Sequence, residues 1–425
     1  MLNANWRGQT IGAGTHTRKY WDELRAGAIT EEDWADLEQS ICRSHGTCNT
    51  MGTASTMTCI VEALGLTLPG AASIPAVDSA HPRLAADCGE RIVAMAGDES
   101  MRPANLLTRD HFLNAITTFM ALGGSTNAAV HILAMAGRAG ITLSLDDLDA
   151  LSNAVPVIVD LLPAGRFLME DLHNAGGLPA VMSDIAHKLN IDCLTVNGKT
   201  LRDNLEHAKV WNREVIRPLD NPLSRHSSLA VLRGNLAPGG AVIKPSAASE
   251  KLMRHRGRAT VFENYPDLYE RIDDPDLDVD ETSILVLKNG GPRGAPGMPE
   301  WGALPIPRKL LEKGVRDIVR ISDSRMSGTH FGTVVLHVTP ESAVGGPLAL
   351  VRDGDVIELD VPARTLHLEV SPEELDRRQK EWTPPTPRYS RGYSKLYCEH
   401  VTQADKGCDF DFLEGGSPGE EPDIY

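Results

Sequence analysis

The chain has 425 residues, 41% of them hydrophobic and 24% charged, which is enough for two domains with substantial cores. Its formal net charge of −16 argues against nucleic acid as a partner, because nucleic acids are bound by basic surfaces. No apolar run approaches the length needed to cross a membrane, and Met1 to Lys19 holds no signal-peptide core, so a cytoplasmic protein is expected.

Seven cysteines, at positions 42, 48, 59, 88, 193, 398 and 408, are too few and too scattered for a disulfide framework. There is no C-x-x-C, no H-E-x-x-H and no complete phosphate loop. Asn197 to Thr200 ends like such a loop, but Cys193 stands where the glycine is required.

In chain order, Trp6 to Thr15 reads as a polar loop. Tyr20 to Arg25 and Thr30 to Ile41 read as helices, the second capped by Thr30 with Asp33. Ser44 to Met57 surrounds Cys48 with Gly, Thr and Asn and leads into a helix from Ala54 to Leu64. A thiol among small residues and hydroxyl donors at a helix start suits a metal or cluster ligand; it equally suits a small buried cysteine. Leu66 to Ala76 is a Gly/Pro loop. His81 to Ala96 reads as a helix with Cys88 in its core face. Thr108 caps a helix from Arg109 to Met120, and Gly123 to Asn127, a polar pocket floor or a mere helix junction, separates it from another, Ala128 to Ala139. Ser144 with Asp147 caps a short helix. Val155 to Leu161 reads as a buried strand, and helices follow at Glu170 to Ala175 and Val181 to Leu189.

After about residue 225 helical periodicity mostly stops. Leu229–Leu232, Ala241–Ile243, Thr260–Phe262, Ile284–Leu287, Ile318–Ile321, Val334–Val338, Asp355–Leu359 and Arg364–Val370 are short runs rich in β-branched residues, bounded by turn formers. That spacing predicts a barrel or sandwich, with helices at Arg308 to Lys313 and Pro372 to Trp382. The expected fold class is α/β: an incomplete N-terminal α/β domain over residues 1–225, a β-barrel-like domain over 226–414 and a disordered tail over 415–425.

Two stretches in the second half carry chemistry. Ile318 to Thr333 is a buried strand that empties into Ser322, Asp323, Ser324, Arg325, Ser327, Gly328, Thr329 and His330. A rigid strand ending in a dense polar turn is a common way to hold reactive groups, although a Ser/Gly-rich surface turn would read the same. Asn289 to Gly302 has five glycines and three prolines in fourteen residues, so it is a loop. Its one carboxylate, Glu300, is either a cation ligand or a solvated side chain.

Five stretches together resemble the dihydroxy-acid and 6-phosphogluconate dehydratase family: GTCNTMGTASTM (46–57), MALGGSTNAAVHILA (120–134), FLMEDLHNAGGLPAVM (167–182), GGPRGAPGMPEW (290–301) and SDSRMSGT (322–329). The first of these, and the ending RGYSKLYCEHVTQADKGCDFDFL, are more similar to the sugar-acid (aldonate) branch. The resemblance implies a hydro-lyase that converts a 2,3-dihydroxy acid to a 2-keto-3-deoxy acid, using a 2Fe-2S cluster and Mg²⁺. It implies Cys48 as a cluster ligand, Glu300 as a Mg²⁺ ligand and Ser327 as the base for the C2 proton. It further implies Ser322, Ser324, Arg325 and Thr329 as substrate contacts, and a homo-oligomer, dimer or tetramer, acting on a small hydroxy acid. Family members also carry an N-terminal segment with further cluster cysteines and Mg²⁺ ligands, so this chain is expected to be truncated. Dihydroxy-acid dehydration in branched-chain amino-acid synthesis, or an inactive fragment or subunit, are the alternatives.

Overall fold

The structure, a computed structural model, describes residues 1–226 and 228–415. It opens with a hairpin of β1 (Ala4–Trp6) and β2 (Gln9–Ile11). Trp6 pairs with Gln9, so the turn is Arg7–Gly8, both at positive φ (50° and 85°). This is the geometry that two-residue hairpins favour, and glycine meets it without strain. Trp6, Ile11, Tyr20 and Leu37 close a small core with α1 (Ala13–Arg25) and α2 (Glu31–Ser40). The hairpin corrects the expected loop over Trp6 to Thr15. Three-residue strands carry too little alternation to be seen, and the anchors that hold them lie on two later helices. The cap before α2 is as expected: Thr30 Oγ1 accepts Asp33 N–H at 3.1 Å, and the Asp33 carboxylate accepts Thr30 N–H at 3.0 Å.

A helical layer follows: α3 (Thr53–Ala63), α4 (Ala80–Met95), α5 (Pro103–Leu106), α6 (Arg109–Leu122) and α7 (Asn127–Arg138). Helix α6 is buried on nearly every side, with Phe112, Ile116 and Phe119 packed among Ile60 and Leu64 of α3 and its C-cap. Helix α4 has no buried residue, and Cys88 is exposed rather than in the core. Periodicity identifies an amphipathic helix but not what lies against its apolar face. Val155 to Leu161 is buried as expected, yet it forms no strand. Val157, Val159 and Leu161 each make a single bridge, to Ser224, Ile216 and Phe167. Its partners come from separate segments, so no ladder extends.

From residue 230 the chain builds an eight-stranded, nearly closed barrel-like sheet. Its strands are β3 (Ala230–Leu232), β4 (Gly240–Ile243), β5 (Arg254–Phe262), β6 (Ile284–Leu287), β8 (Val319–Ser322), β10 (Val334–Thr339), β11 (Val356–Asp360) and β12 (Thr365–Leu368). The remaining pair, β7 (Glu300–Trp301) and β9 (Arg325–Met326), forms a separate ribbon. The sheet order is β12-β11-β5-β6-β8-β10-β4-β3. A bridge between Arg233 and Thr365 joins the two outer strands. Strand β6 is buried on both faces, which accounts for its unbroken apolar sequence. In β6, Ile284 and Val286 pack in one core with Val319, Ile321 and Leu359, while Leu285 and Leu287 belong to the core shared with the helical layer.

Beyond the barrel, Pro372–Glu381 is helical as expected, and Gly392–His400 is a further helix with no buried residue. The expected disordered tail lies outside the described residues, apart from Gly415. Among the described residues, no helix is long and apolar enough to cross a membrane.

Candidate functional site

Strands β5, β6, β8 and β10 run parallel. Parallel neighbours release their connections at the same end, which is where open parallel sheets place their ligand sites. Here β6 releases the Gly/Pro loop 288–299 and β8 releases the polar turn 322–330. The β7–β9 ribbon then joins them, pairing Glu300 with Arg325 and Trp301 with Met326. Ser327 N–H donates to the Trp301 carbonyl at 2.9 Å. The base and the carboxylate singled out from sequence are thus carried by two segments held in one register.

Ser327 is half-buried, and its Oγ lies 2.9 Å from Thr329 Oγ1. Arg18 of α1 donates from Nη1 to the same Thr329 Oγ1 at 2.9 Å and to the Gly14 carbonyl at 2.9 Å. Its Nε donates to the Gly302 carbonyl. Thr329 is pinned against two glycines: a Cβ at Gly52 would come within 2.6 Å of Thr329 Cγ2, and one at Gly14 within 2.5 Å of Thr329 Oγ1. The starts of α3 and α1 therefore touch the polar turn directly.

Glu300 is exposed, yet its Oε2 accepts from Asn127 Nδ2 at 2.8 Å and from Thr53 Oγ1 at 3.1 Å. Asn127 opens α7 and also donates to the Met326 carbonyl at 3.1 Å. The Gly123 to Asn127 break between α6 and α7 is what brings Ser125 and Asn127 here. A Cβ at Gly328 would fall 2.3 Å from Ser125 Oγ, so the break and the turn are in contact. Cys48, just ahead of α3, is half-buried with Sγ 3.1 Å from Thr50 Oγ1.

Arg18 lies where these groups meet. Burial lowers its pKa, and the charges of Glu300 and Cys48 act against that lowering. Nothing in the sequence around Arg18 marks it, since its role is set entirely by how α1 docks. His131 was missed as well. It sits one turn after Asn127 on α7 with its pKa lowered, first by burial and then by Arg325, while Glu300 acts in the opposite sense.

The other expected contacts are placed differently. Ser322 and Ser324 are fully buried. Ser322 Oγ accepts Ser324 N–H at 3.0 Å, and Ser324 Oγ has no partner among the described residues. Arg325 is half-buried and donates from Nε to the Met298 carbonyl at 2.5 Å. Asp323 is buried and accepts Gly290 N–H at 2.8 Å and Ser342 N–H at 2.7 Å. Thr329 alone of the four expected substrate contacts shares a hydrogen bond with Ser327.

Cys48 offers one soft donor and Glu300 one hard donor, the types that iron–sulfur clusters and Mg²⁺ require. Among the described residues, however, no group of three or more His, Cys, Asp or Glu side chains could hold a metal ion. The described residues therefore do not by themselves enclose either group. Cys42 is exposed, and Cys59 is buried with its thiol pushed far up by desolvation.

The family models described as dihydroxy-acid/6-phosphogluconate dehydratase N-terminal and C-terminal match residues 3–204 and 214–408. The chain is 54% identical to a 6-deoxy-6-sulfo-D-gluconate dehydratase of Pseudomonas putida, over 100% of this chain and 74% of that protein. It is 52% identical to an L-arabinonate dehydratase of Rhizobium leguminosarum bv. trifolii, over 98% and 72%. It is 41% identical to a dihydroxy-acid dehydratase of Caldanaerobacter subterraneus, over 92% and 70%.

Proposed function

We propose a dehydration chemistry for this site from one premise: the chain belongs to the dihydroxy-acid/6-phosphogluconate dehydratase family. It is a dehydratase by family, and its sugar-acid relatives are more similar to it than the dihydroxy-acid relative above. The proposed reaction takes a 2,3-dihydroxy sugar acid to a 2-keto-3-deoxy acid. The C2–H bond breaks, the C3 hydroxyl leaves as water, and the resulting enol takes a proton at C3 to become the ketone.

The observation that carries this reading is the chain of contacts from Arg18 through Thr329 to Ser327. Arginine only donates. Thr329 Oγ1 accepts from Arg18, which leaves its own hydrogen free to point at Ser327 Oγ. With that hydrogen turned to Ser327, Thr329 is a donor that stabilises negative charge on Ser327 Oγ. With its own proton lost to solvent, Ser327 Oγ is an alkoxide that can take the C2 proton and return to the hydroxyl. Glu300, oriented by Asn127 and Thr53, stands on β7, paired with the β9 segment that leads into Ser327. Cys48 and Glu300 are the proposed contributions of this chain to an iron–sulfur cluster and a Mg²⁺ site, and a homo-oligomer is the proposed assembly. No step is routed through either metal group, because the described residues do not complete them.

The test is to incubate the protein with five- and six-carbon aldonates and with a branched 2,3-dihydroxy acid, measuring 2-keto acid formed. Turnover of the aldonates in preference to the branched acid is expected. Preference for the branched acid would move the chain to the amino-acid branch, and no keto acid from any of them would leave a non-catalytic subunit.

A further inference from the structure

The loop that carries Glu300 has little structure of its own. Between residues 289 and 299 it makes two internal backbone bonds, Ala295 N–H to the Gly291 carbonyl at 2.9 Å and Met298 N–H to the Ala295 carbonyl at 2.7 Å. What fixes it is a carboxylate from another part of the barrel. Glu341, 1% exposed, follows β10. Its Oε2 accepts Arg293 N–H at 3.0 Å and Gly294 N–H at 2.9 Å, and its Oε1 lies 3.0 Å from the same Arg293 nitrogen. The loop is pressed onto it, since a Cβ at Gly291 would come within 2.6 Å of Oε2.

Glu341 is itself held by Gln403, in a reciprocal pair. Gln403 Nε2 donates to Glu341 Oε1 at 2.8 Å, and Glu341 N–H donates to Gln403 Oε1 at 2.9 Å. The same C-terminal segment packs on the far end of the loop. Met298 forms a small cluster with Val130 and Ala404, and Cys408 Sγ lies 3.3 Å from Met298 Sδ. Asp323, in the catalytic turn, holds Gly290 and Ser342. Burial, and then the charge of Asp323, push Glu341 up to about 7, while the N–H donors of Gly294, Gln403 and Arg293 act against that rise. The Glu300 loop is therefore held at Gly290 by Asp323, at Arg293 and Gly294 by Glu341, and at Met298 by packing against Ala404 and Cys408.

We propose that Glu341, paired with Gln403, is a positioning residue for the reaction: it sets the loop that carries Glu300, with residues 402–408 as the strap behind it. The inference rests on the dehydratase reading for its catalytic consequence, but not for its structural one. A carboxylate can accept on every side, whereas an amide cannot. In Glu341→Gln, one end of the side chain becomes an NH₂ that faces either the loop N–H groups or the NH₂ of Gln403. The double variant Glu341→Gln/Gln403→Glu restores every bond: the new amide accepts from the loop and donates to the new carboxylate, which also accepts the backbone N–H of position 341.

The experiment compares the full chain with these two variants by amide hydrogen exchange and by turnover of an aldonate. In Glu341→Gln, exchange at Arg293 and Gly294 is expected to rise about 10- to 100-fold, the equivalent of one lost hydrogen bond to a charged group. Exchange in β6, β8 and β10 should stay as it was. The kcat should fall about 100-fold, as displacement of a catalytic group by about 1 Å can cost, with KM little changed. The double variant should recover both. Unchanged loop exchange in Glu341→Gln, a rise spread over the barrel strands, or no recovery in the double variant would each overturn the proposal. If the wild-type chain turns over no sugar acid, the proposed function fails, and the exchange measurement still decides whether Glu341 sets the loop.

Discussion

Replacing Ser327 by Ala removes the oxygen proposed to take the C2 proton while leaving the turn standing. Ser327 Oγ makes one hydroxyl contact, to Thr329 at 2.9 Å, on a half-buried residue. The stability cost is therefore that of one neutral hydrogen bond, about 0.5–1.5 kcal/mol. The catalytic cost is much larger, about 10²- to 10⁴-fold in turnover, or roughly 3–5 kcal/mol of barrier at 1.36 kcal/mol per tenfold. Two neighbours separate the roles. Thr329→Val keeps the shape that packs on Gly52 and Gly14 but cuts the link from Arg18, so turnover should fall without the C2 exchange being abolished. Ser324→Ala removes a fully buried hydroxyl that has no partner among the described residues, and it should cost far less. The assay is 2-keto acid formation, with solvent deuterium entering C2 followed by NMR. Exchange should vanish in Ser327→Ala and survive in Ser324→Ala. Equal losses in both, or C2 exchange persisting in Ser327→Ala, would show that the turn only positions substrate.

Three further perturbations probe the frame around that turn. Gly328→Ala puts a methyl 2.3 Å from Ser125 Oγ; turnover should drop about 100-fold through displacement of Ser327, with circular dichroism unchanged. Asp317→Ala strands the fully buried Arg320, to which Asp317 is bonded at 2.9 Å, and frees Thr333; urea unfolding should show a loss of about 3–5 kcal/mol. Lys244 is buried with its ammonium on the Gly123 carbonyl at 2.6 Å, and desolvation lowers its pKa to about 7. Between pH 7 and 10.5 the unfolded chain holds a proton at this site that the folded chain does not, so wild-type stability should rise with pH there relative to Lys244→Met. Denaturation midpoints of both proteins at pH 6 and pH 9 check the sign.

The parts of this architecture that could be read from sequence are those set by short-range rules. Ile284–Leu287 was legible because it is an unbroken apolar run buried on both faces, and Ile318–Ile321 because Ile318, Val319 and Ile321 are apolar around Arg320. Thr30 and Ser144 were legible because a cap announces itself within three residues. The polar turn at Ser322 to His330 stood out because the apolar run before it stops abruptly. What stayed hidden depends on docking. Arg18 lies in a stretch of α1 that gives no sign of the site, and it matters only because α1 lies across Thr329. Asn127 read as part of either a polar pocket floor or a mere helix junction, and its amide reaches Glu300 only because α7 starts beside the β7–β9 ribbon. Cys88 was misplaced because a helix pattern says nothing of the neighbour. Val155 to Leu161 was misread because burial alone does not make a ladder.

The seam of the barrel bears on how copies of this chain can meet. The outer side of β12 would ordinarily be a row of unpaired backbone groups, ready to template another strand. Here the row is occupied from within. Arg233 N–H donates to the Arg364 carbonyl at 3.0 Å, Leu366 N–H to the Arg233 carbonyl at 2.9 Å, and the side chain of Asn235 both accepts Leu368 N–H at 2.7 Å and donates to its carbonyl at 2.8 Å. Gly234 lets the two strands come this close, because a Cβ there would fall 2.0 Å from the Leu366 carbonyl oxygen. A side chain at Gly234 would pry the seam open and expose a sticky edge, so the first symptom of that substitution should be aggregation rather than lost activity. With the seam shut, strand-to-strand addition at β12 is closed to a second copy.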